Sequence, residues 1–400
     1  MVEVTESGGS SFSRRLGQLR TERDMSLRQL ARATFYSKSY LHELENGSKR
    51  PTAQAAQRLD STLRAGGELS ALADAQRALS RRQFVAGAGL AAALPHTYVD
   101  HGRKIGVDLP DKLVERTARL RRLDDFLGGA DTYRMYAAEV DSTDRLIRDG
   151  RYAEDTHRRL LAVLAEQAQL AGWAAFDAGH HGDAERLYRA SLTAAQEAEN
   201  PALAGNAQAF LAYQASALGR SGLNLAIAAC ETAKESTTPR VLTLLHCRRA
   251  WSHALEGQAA EAERQLDTAA RWLSTSGDRA EPDWAYWVDD VEVDIMTGRC
   301  WSVLHRPMRA ISVLEQVLAL YNDTHARDKA LYLTWLADAY LDANEVEQAC
   351  SVAGKAMRLA AGVGSIRPAQ RIDTFMARLE PYAALPCVVD LHGRAAEMSR

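Results

Sequence analysis

Apolar residues recur at helical spacing early in the chain. Leu27, Leu30 and Ala31 mark one short segment and Tyr40, Leu41 and Leu44 the next, with Thr34-Phe35-Tyr36 between them. That spacing predicts two amphipathic helices which meet through a tight turn and must therefore cross. Ser37 stands where an N-cap belongs, so the second helix begins at Lys38 and points its first turn outward. Asn46-Gly47 stops it, since both residues tolerate a left-handed backbone. A further helix is expected over Thr52 to Leu63. Beyond residue 110 Ala is abundant, Pro is rare and no run of alternating β-branched residues occurs, so the expected fold class is all-α.

On the strings SLRQLARA, SKSYLHELENG and KRP followed by that further helix, about Phe12 to Leu72 resembles the Cro/cI-type (XRE-like) repressor domain. The resemblance implies a five-helix helix-turn-helix head over 11–75 that binds double-stranded DNA. Its second motif helix enters the major groove. The most specific piece is Leu44-Glu45-Asn46-Gly47 with Lys49-Arg50-Pro51 behind it, where the resemblance implies that backbone amides and cations meet phosphates. Phe35 stands where the family usually has Gly, which suggests a remodelled turn. Leu27 replaces the Gln or Thr that usually opens the second helix, which removes one phosphate contact. Base contacts are expected from Lys38, Ser39, Tyr40 and Glu43. Glu43 could accept from cytosine and Lys38 donate to guanine, while Tyr40 either meets a thymine methyl or belongs to the core. Arg28, Ser37, Asn46, Lys49 and Arg50 are assigned to the DNA backbone.

Charge points the same way. Residues 11–64 carry eleven Lys or Arg against five Asp or Glu, a net of +6, whereas the whole chain is −3. Residues 1–10 hold two Glu, so 65–400 net −7. Basic charge concentrated in one segment suits a polyanion, and Arg14, Arg15 and Arg20 join Arg28, Lys38, Lys49 and Arg50 as expected contacts.

The body repeats. Gly172, Gly182-Asp183-Ala184, Tyr188 and Ala190 match the helix-turn-helix unit of a tetratricopeptide repeat, and Leu336-Ala337, Tyr340, Ala349 and Ala356 match it better. Weaker copies centre on Ala226, Ala262 and Ala310. The key alanines are then 42, 36, 48 and 39 residues apart, against about 34 for the ideal unit. Residues 113–170 are expected to form a helical pair covering the amino-terminal end of the stack, and 111–385 a tetratricopeptide-like α-solenoid. With Gly172, Gln214, Ala250 and Ala337 taken as equivalent, the concave face should present Glu166, Gln169, Trp173, Gln208, Cys247, Trp251, Thr334 and Asp338. Trp284, Trp287 and Asp290 are placed on the matching helix of the weakest repeat. Tryptophans in a helical stack are more often core than ligand platform.

Residues 1–10 are expected to be a disordered tail, 76–110 a linker with a short apolar helix, and 386–400 a C-terminal tail. Arg81-Arg82 before AGAGLAAALP looks like a twin-arginine export signal, yet it begins eighty residues in, and its apolar run is far short of the roughly twenty residues that span a bilayer. The five cysteines lie far apart and are expected to be buried, reduced thiols of a cytoplasmic protein. His180-His181 lacks a third ligand, so no metal and no cofactor are expected. No phosphate loop, nucleophile elbow or catalytic triad appears, and no catalysis is expected.

A DNA-reading head on such a body resembles the RRNPP group of peptide-responsive regulators and, in its Ala and Arg usage, the helix-turn-helix regulators of actinobacteria. The resemblance implies a homodimeric transcriptional regulator controlled by a signalling peptide, small molecule or protein bound to the body. The alternative is a scaffold or adaptor whose head contacts proteins instead of DNA.

Overall fold

The computed structural model describes residues 11–34, 36–46, 51–70, 72–73, 105–124, 127–234, 237–321, 325–361 and 363–398. All regular structure among them is helical. The chain divides into two compact units, 1–91 and 92–400.

The first unit contains α1 (Ser11–Glu22), α2 (Leu27–Thr34), α3 (Lys38–Glu45) and α4 (Ala53–Leu63), followed by helical residues at 68–70 and 72–73. Phe12, Leu16 and Leu19 of α1, Leu30 of α2, Leu41 and Leu44 of α3, and Leu59 and Leu63 of α4 are buried together in one core. The i, i+3, i+4 spacing of these residues is what turns each helix inward. Local chemistry fixes the ends. Ser37 Oγ accepts from Tyr40 N at 3.1 Å and Thr52 Oγ1 from Ala55 N at 3.0 Å. Arg64 takes a left-handed conformation at the end of α4, while the buried Asp60 carboxylate accepts from Gly67 N at 2.7 Å and Ser70 N at 2.8 Å. These bonds satisfy the free amides at the start of the last helical stretch.

The second unit opens with α5 (Leu109–Arg121) and α6 (Gly129–Asp149). Five helical hairpins follow: α7 (Glu154–Asp177) with α8 (His181–Glu197), α9 (Pro201–Ala217) with α10 (Leu223–Ala233), α11 (Pro239–Leu255) with α12 (Ala259–Leu273), α13 (Asp290–Val303) with α14 (Pro307–Leu320), and α15 (Ala326–Asp342) with α16 (Val346–Ala360). Then come α17 (Arg367–Arg378) and α18 (Pro386–Met398). Ala184, Ala226, Ala262, Ala310 and Ala349 each occupy the fourth position of the second helix of a hairpin, and each is fully buried. A methyl there lets the partner helix approach closely. On the partner helices Gly172 lies against the Tyr188 ring and Gly298 against Leu314.

Several boundaries differ from expectation. Residues 386–398, expected as a tail, form α18, because Val388 and Leu391 at i, i+3 spacing give the segment an apolar face that is fully buried. The linker expected over 76–110 runs into α5, which starts at Leu109 with Pro110 in its first turn; its part 76–104, with the expected apolar helix and Arg81-Arg82, lies outside the described residues, as does the expected tail 1–10. The block expected as a helical pair holds three helices, and the third, α7, already carries Gly172 of the first hairpin. Asn46 ends α3 in a right-handed conformation (φ −85°) instead of a left-handed one.

The largest departure is closure. An open stack with an accessible concave face was expected, but the segment after α16 returns to the start of the array. Ala130 N donates to Gly364 O at 2.9 Å, Ile366 N to Asp177 O at 3.0 Å, and Ser365 Oγ to the Asp177 carboxylate at 2.8 Å. Gly129 N also donates to that carboxylate, at 2.9 Å, and Arg367 lies 3.5 Å from it. A β-carbon on Gly128 would stand 2.1 Å from Gly364 O, so this contact needs glycine.

Candidate functional site

The head presents α3 through its capped first turn. Lys38 is exposed there, and Arg28 is exposed on α2. Ser37 is exposed at the cap with its oxygen already accepting from Tyr40 N, and Asn46 is exposed at the far end. Tyr40 is half-buried, its ring 5.1 Å from that of Tyr36, and it packs on the head core; Glu43 is half-buried. Lys49, Arg50, Gly47 and Phe35 lie outside the described residues, as does the Ser39 side chain.

Two of the cations expected to meet phosphate also pair within the head. Arg20 donates to Glu45 through Nε at 2.5 Å and to Met25 O at 2.7 Å, half-buried between α1 and α3. Arg15 pairs with Glu22 at 3.1 Å and Glu68 at 2.8 Å. Both sequence positions look basic and surface-facing; the nearby carboxylates that claim them come from elsewhere in the fold.

Residues 11–73 match a family model described as a helix-turn-helix domain. A DNA-binding domain of this kind therefore heads the chain, with α2 and α3, joined by a short turn, lying within the matched residues. No curated protein matches the chain. Among solved structures, the crystal structure of BtubC (BKLC) from P. vanneervenii is similar at 18% identity, covering 57% of this chain and 89% of that one, with a TM-score of 0.40. Among the described residues no helix is long and apolar enough to cross a membrane.

The body holds a cavity of about 510 Å³ that opens to solvent. Side chains of α7, α9, α11, α13, α15 and the start of α17 line it, together with the 283–289 turn. Of the residues expected on the concave face or on its weakest repeat, Glu166, Gln169, Trp173, Trp284 and Trp287 reach the lining. Glu166 pairs with Arg121. Buried Gln169 donates to Ser191 Oγ at 3.0 Å and Leu203 O at 2.9 Å and accepts from Asn206 at 2.7 Å, so its amide is held by hydrogen bonds to three neighbours.

The others lie elsewhere. Gln208 is half-buried with its Oε1 unpaired, outside the lining. Trp251 and Cys247 are buried behind the wall, the Trp251 ring edge-on to Trp335 at 5.9 Å. Thr334 accepts from Arg371 at 3.3 Å, and Asp338 pairs with Arg371 and, at 2.5 Å, with Arg378. Both are covered because α17 packs across that part of the face, which a repeat pattern ending at α16 does not reveal. Asp290 is exposed at the first position of α13, while Trp284 reaches the lining from a 3-10 turn (Asp283–Ala285) and not from a repeat helix.

Sequence reasoning missed the residues that set the cavity's charge. Tyr213 Oη accepts from Arg299 at 3.0 Å and from Arg367 at 2.8 Å, and the Arg248 guanidinium lies 4.8 Å from its ring centre. Burial by itself would raise the phenol, but Arg299, Arg367 and Arg248 together outweigh it and hold Tyr213 at about 7. Burial pushes the Glu292 carboxyl up to about 7 against the pull of Arg248 and Arg299. A signal for two of these was present: Gly298 stands twelve residues before Ala310, as Gly172 does before Ala184. In that register Glu292 and Arg299 are the equivalents of Glu166 and Trp173.

Proposed function

We infer that the chain is a sequence-specific transcriptional regulator whose head reads duplex DNA and whose body is the receptor for a controlling ligand. The helix-turn-helix head carries the first half of this reading. Lys38, Ser39, Tyr40 and Glu43 are assigned to base edges, and Arg28, Ser37, Asn46, Lys49 and Arg50 to the backbone. Lys38 is exposed at the start of α3, while Tyr40 gives part of its ring to the core.

The cavity lined by the helices of the body carries the second half. Its volume falls in the range of about 300–1,000 Å³ usual for small-molecule pockets, which favours a small molecule over an extended signalling peptide. The five alanines in one register support a tetratricopeptide-like body, and the head supports an XRE-type regulator acting in the cytoplasm. We assign no catalytic role to either unit. In a homodimer, half-sites one turn apart require recognition helices about 34 Å apart, and a ligand that reshapes the body would change that spacing.

The test is binding of the full chain to a labelled duplex from its own upstream region, across a salt series. Affinity should fall linearly with the logarithm of salt, with a slope of about −0.9 per phosphate neutralised. Lack of any salt-dependent association would move the head to a protein-binding role.

A further inference from the structure

The geometry points to a small organic anion as the occupant of the body cavity, its acid group seated between Arg248 and Arg299 and its apolar part among the surrounding rings. This rests on the reading of the body as a ligand receptor and names the ligand's chemistry.

Most charges of the lining already have partners. Arg121 is paired with Glu166 and Asp283, and Arg327 with Asp124 and Asp328. Asp289 caps α13 by accepting from Glu292 N at 3.0 Å. Arg299 is different. It is 2% exposed, its hydrogen bonds go to the Tyr213 phenol and the Met296 sulfur, and it lies over Trp335 at 4.1 Å and Trp251 at 4.5 Å. Its Nε is buried with no hydrogen-bond partner. Arg248 faces the Tyr213 and Trp287 rings and, like Arg299, makes no ion pair among the described residues.

Leaving a buried guanidinium donor unpaired is costly, and protein interiors rarely retain one without a reason. One carboxylate, Glu292, faces both arginines from α13, and Arg367 adds a third guanidinium from α17 with Asp177 on its far side. Tyr213, held at about 7, adds part of a further negative charge, and three guanidiniums still exceed Asp177, Glu292 and Tyr213 together at this end of the cavity. A carboxylate, sulfonate or phosphate there would gain charge-assisted hydrogen bonds from the guanidiniums of both Arg248 and Arg299. Trp173, Phe210 and Trp287 line the same cavity and suit a planar apolar body.

The experiment is a fluorescence titration of the full chain with a matched pair of probes, anionic 1-anilinonaphthalene-8-sulfonate and uncharged N-phenyl-1-naphthylamine. Wild type should hold the sulfonate about tenfold more tightly than the neutral ring system. Arg299→Met and Arg248→Met should each weaken the sulfonate about tenfold and leave the neutral probe within about twofold. Glu292→Gln, which removes the competing negative charge, should tighten the sulfonate. Arg248 is half-buried, so its variant carries the test if Arg299→Met does not fold. Equal binding of the two probes by wild type, or equal loss of both in Arg248→Met, overturns the anion site. Binding of labelled duplex is measured in parallel: intact duplex binding with no sulfonate preference sinks the anion site alone, and a sulfonate preference without duplex binding sinks the regulator reading alone.

Discussion

The Ser365 hydroxyl donates to the Asp177 carboxylate at 2.8 Å, joining positions 188 residues apart. The same carboxylate accepts from Gly129 N and faces Arg367, so one fully buried acid ties three segments and closes the body around its cavity. Asp177→Ala would leave these donors and a buried guanidinium without their anion, at a cost of about 3–5 kcal/mol. Urea unfolding of the full chain should show it. Unchanged body stability would remove Asp177 from this role.

Close helix approach gives a second prediction. A β-carbon on Gly172 would stand 2.6 Å from Tyr188 Cε1, and that ring is itself stacked on Phe210 at 5.0 Å. Gly172→Ala should therefore destabilise by about 1–2 kcal/mol, the overpacking cost being partly offset by alanine's helix propensity. Gly182, on α8, has open space at the same point. Gly182→Ala should be neutral or stabilising by up to about 1 kcal/mol, so matched thermal melts of the two variants separate packing from propensity.

On DNA, Lys38→Ala should cost about 1–3 kcal/mol on the cognate duplex and relax discrimination against random sequence. Arg28→Ala should weaken all duplexes alike and lower the salt slope by about one. Equal losses from Lys38→Ala on cognate and random DNA would refute its assignment to a base.

Tyr213 and Glu292 give opposite pH dependences. Glu292 is raised from an ordinary 4.5 to about 7, so its contribution to stability is complete below pH 4.5 and is lost as pH rises through 7. Tyr213 is lowered from 10 to about 7, so its contribution is complete above pH 10 and is lost as pH falls through 7. Their joint contribution is smallest near neutrality. Relative to wild type, the melting temperature of Glu292→Gln should rise between pH 4.5 and 7, and that of Tyr213→Phe should fall between 7 and 10. Curves that stay parallel to wild type would contradict this.

Burial raises the thiols of Cys230, Cys300 and Cys350 to about 11, 12 and 12, and raises Cys247 as well. Cys387 is partly exposed. Native protein should thus release one equivalent of thiol to an aromatic disulfide reagent, and the other four only on unfolding.

Much of this was legible in the chain itself. Leu30, Leu41 and Leu44 fixed the helices of the head, Ser37 fixed where α3 begins, and Ala184 through Ala349 marked the hairpins, because helical periodicity, capping and small-residue packing act over a few residues. Tertiary structure decided the rest. Arg20 pairs with Glu45, α17 covers Asp338, Ser365 meets Asp177, and Arg299 finds Tyr213, each across a separation that local pattern does not encode. A guanidinium reads the same in sequence whether a carboxylate reaches it or not. Which arginines remain without an anion is a property of the closed body, and the ligand chemistry inferred above follows from that.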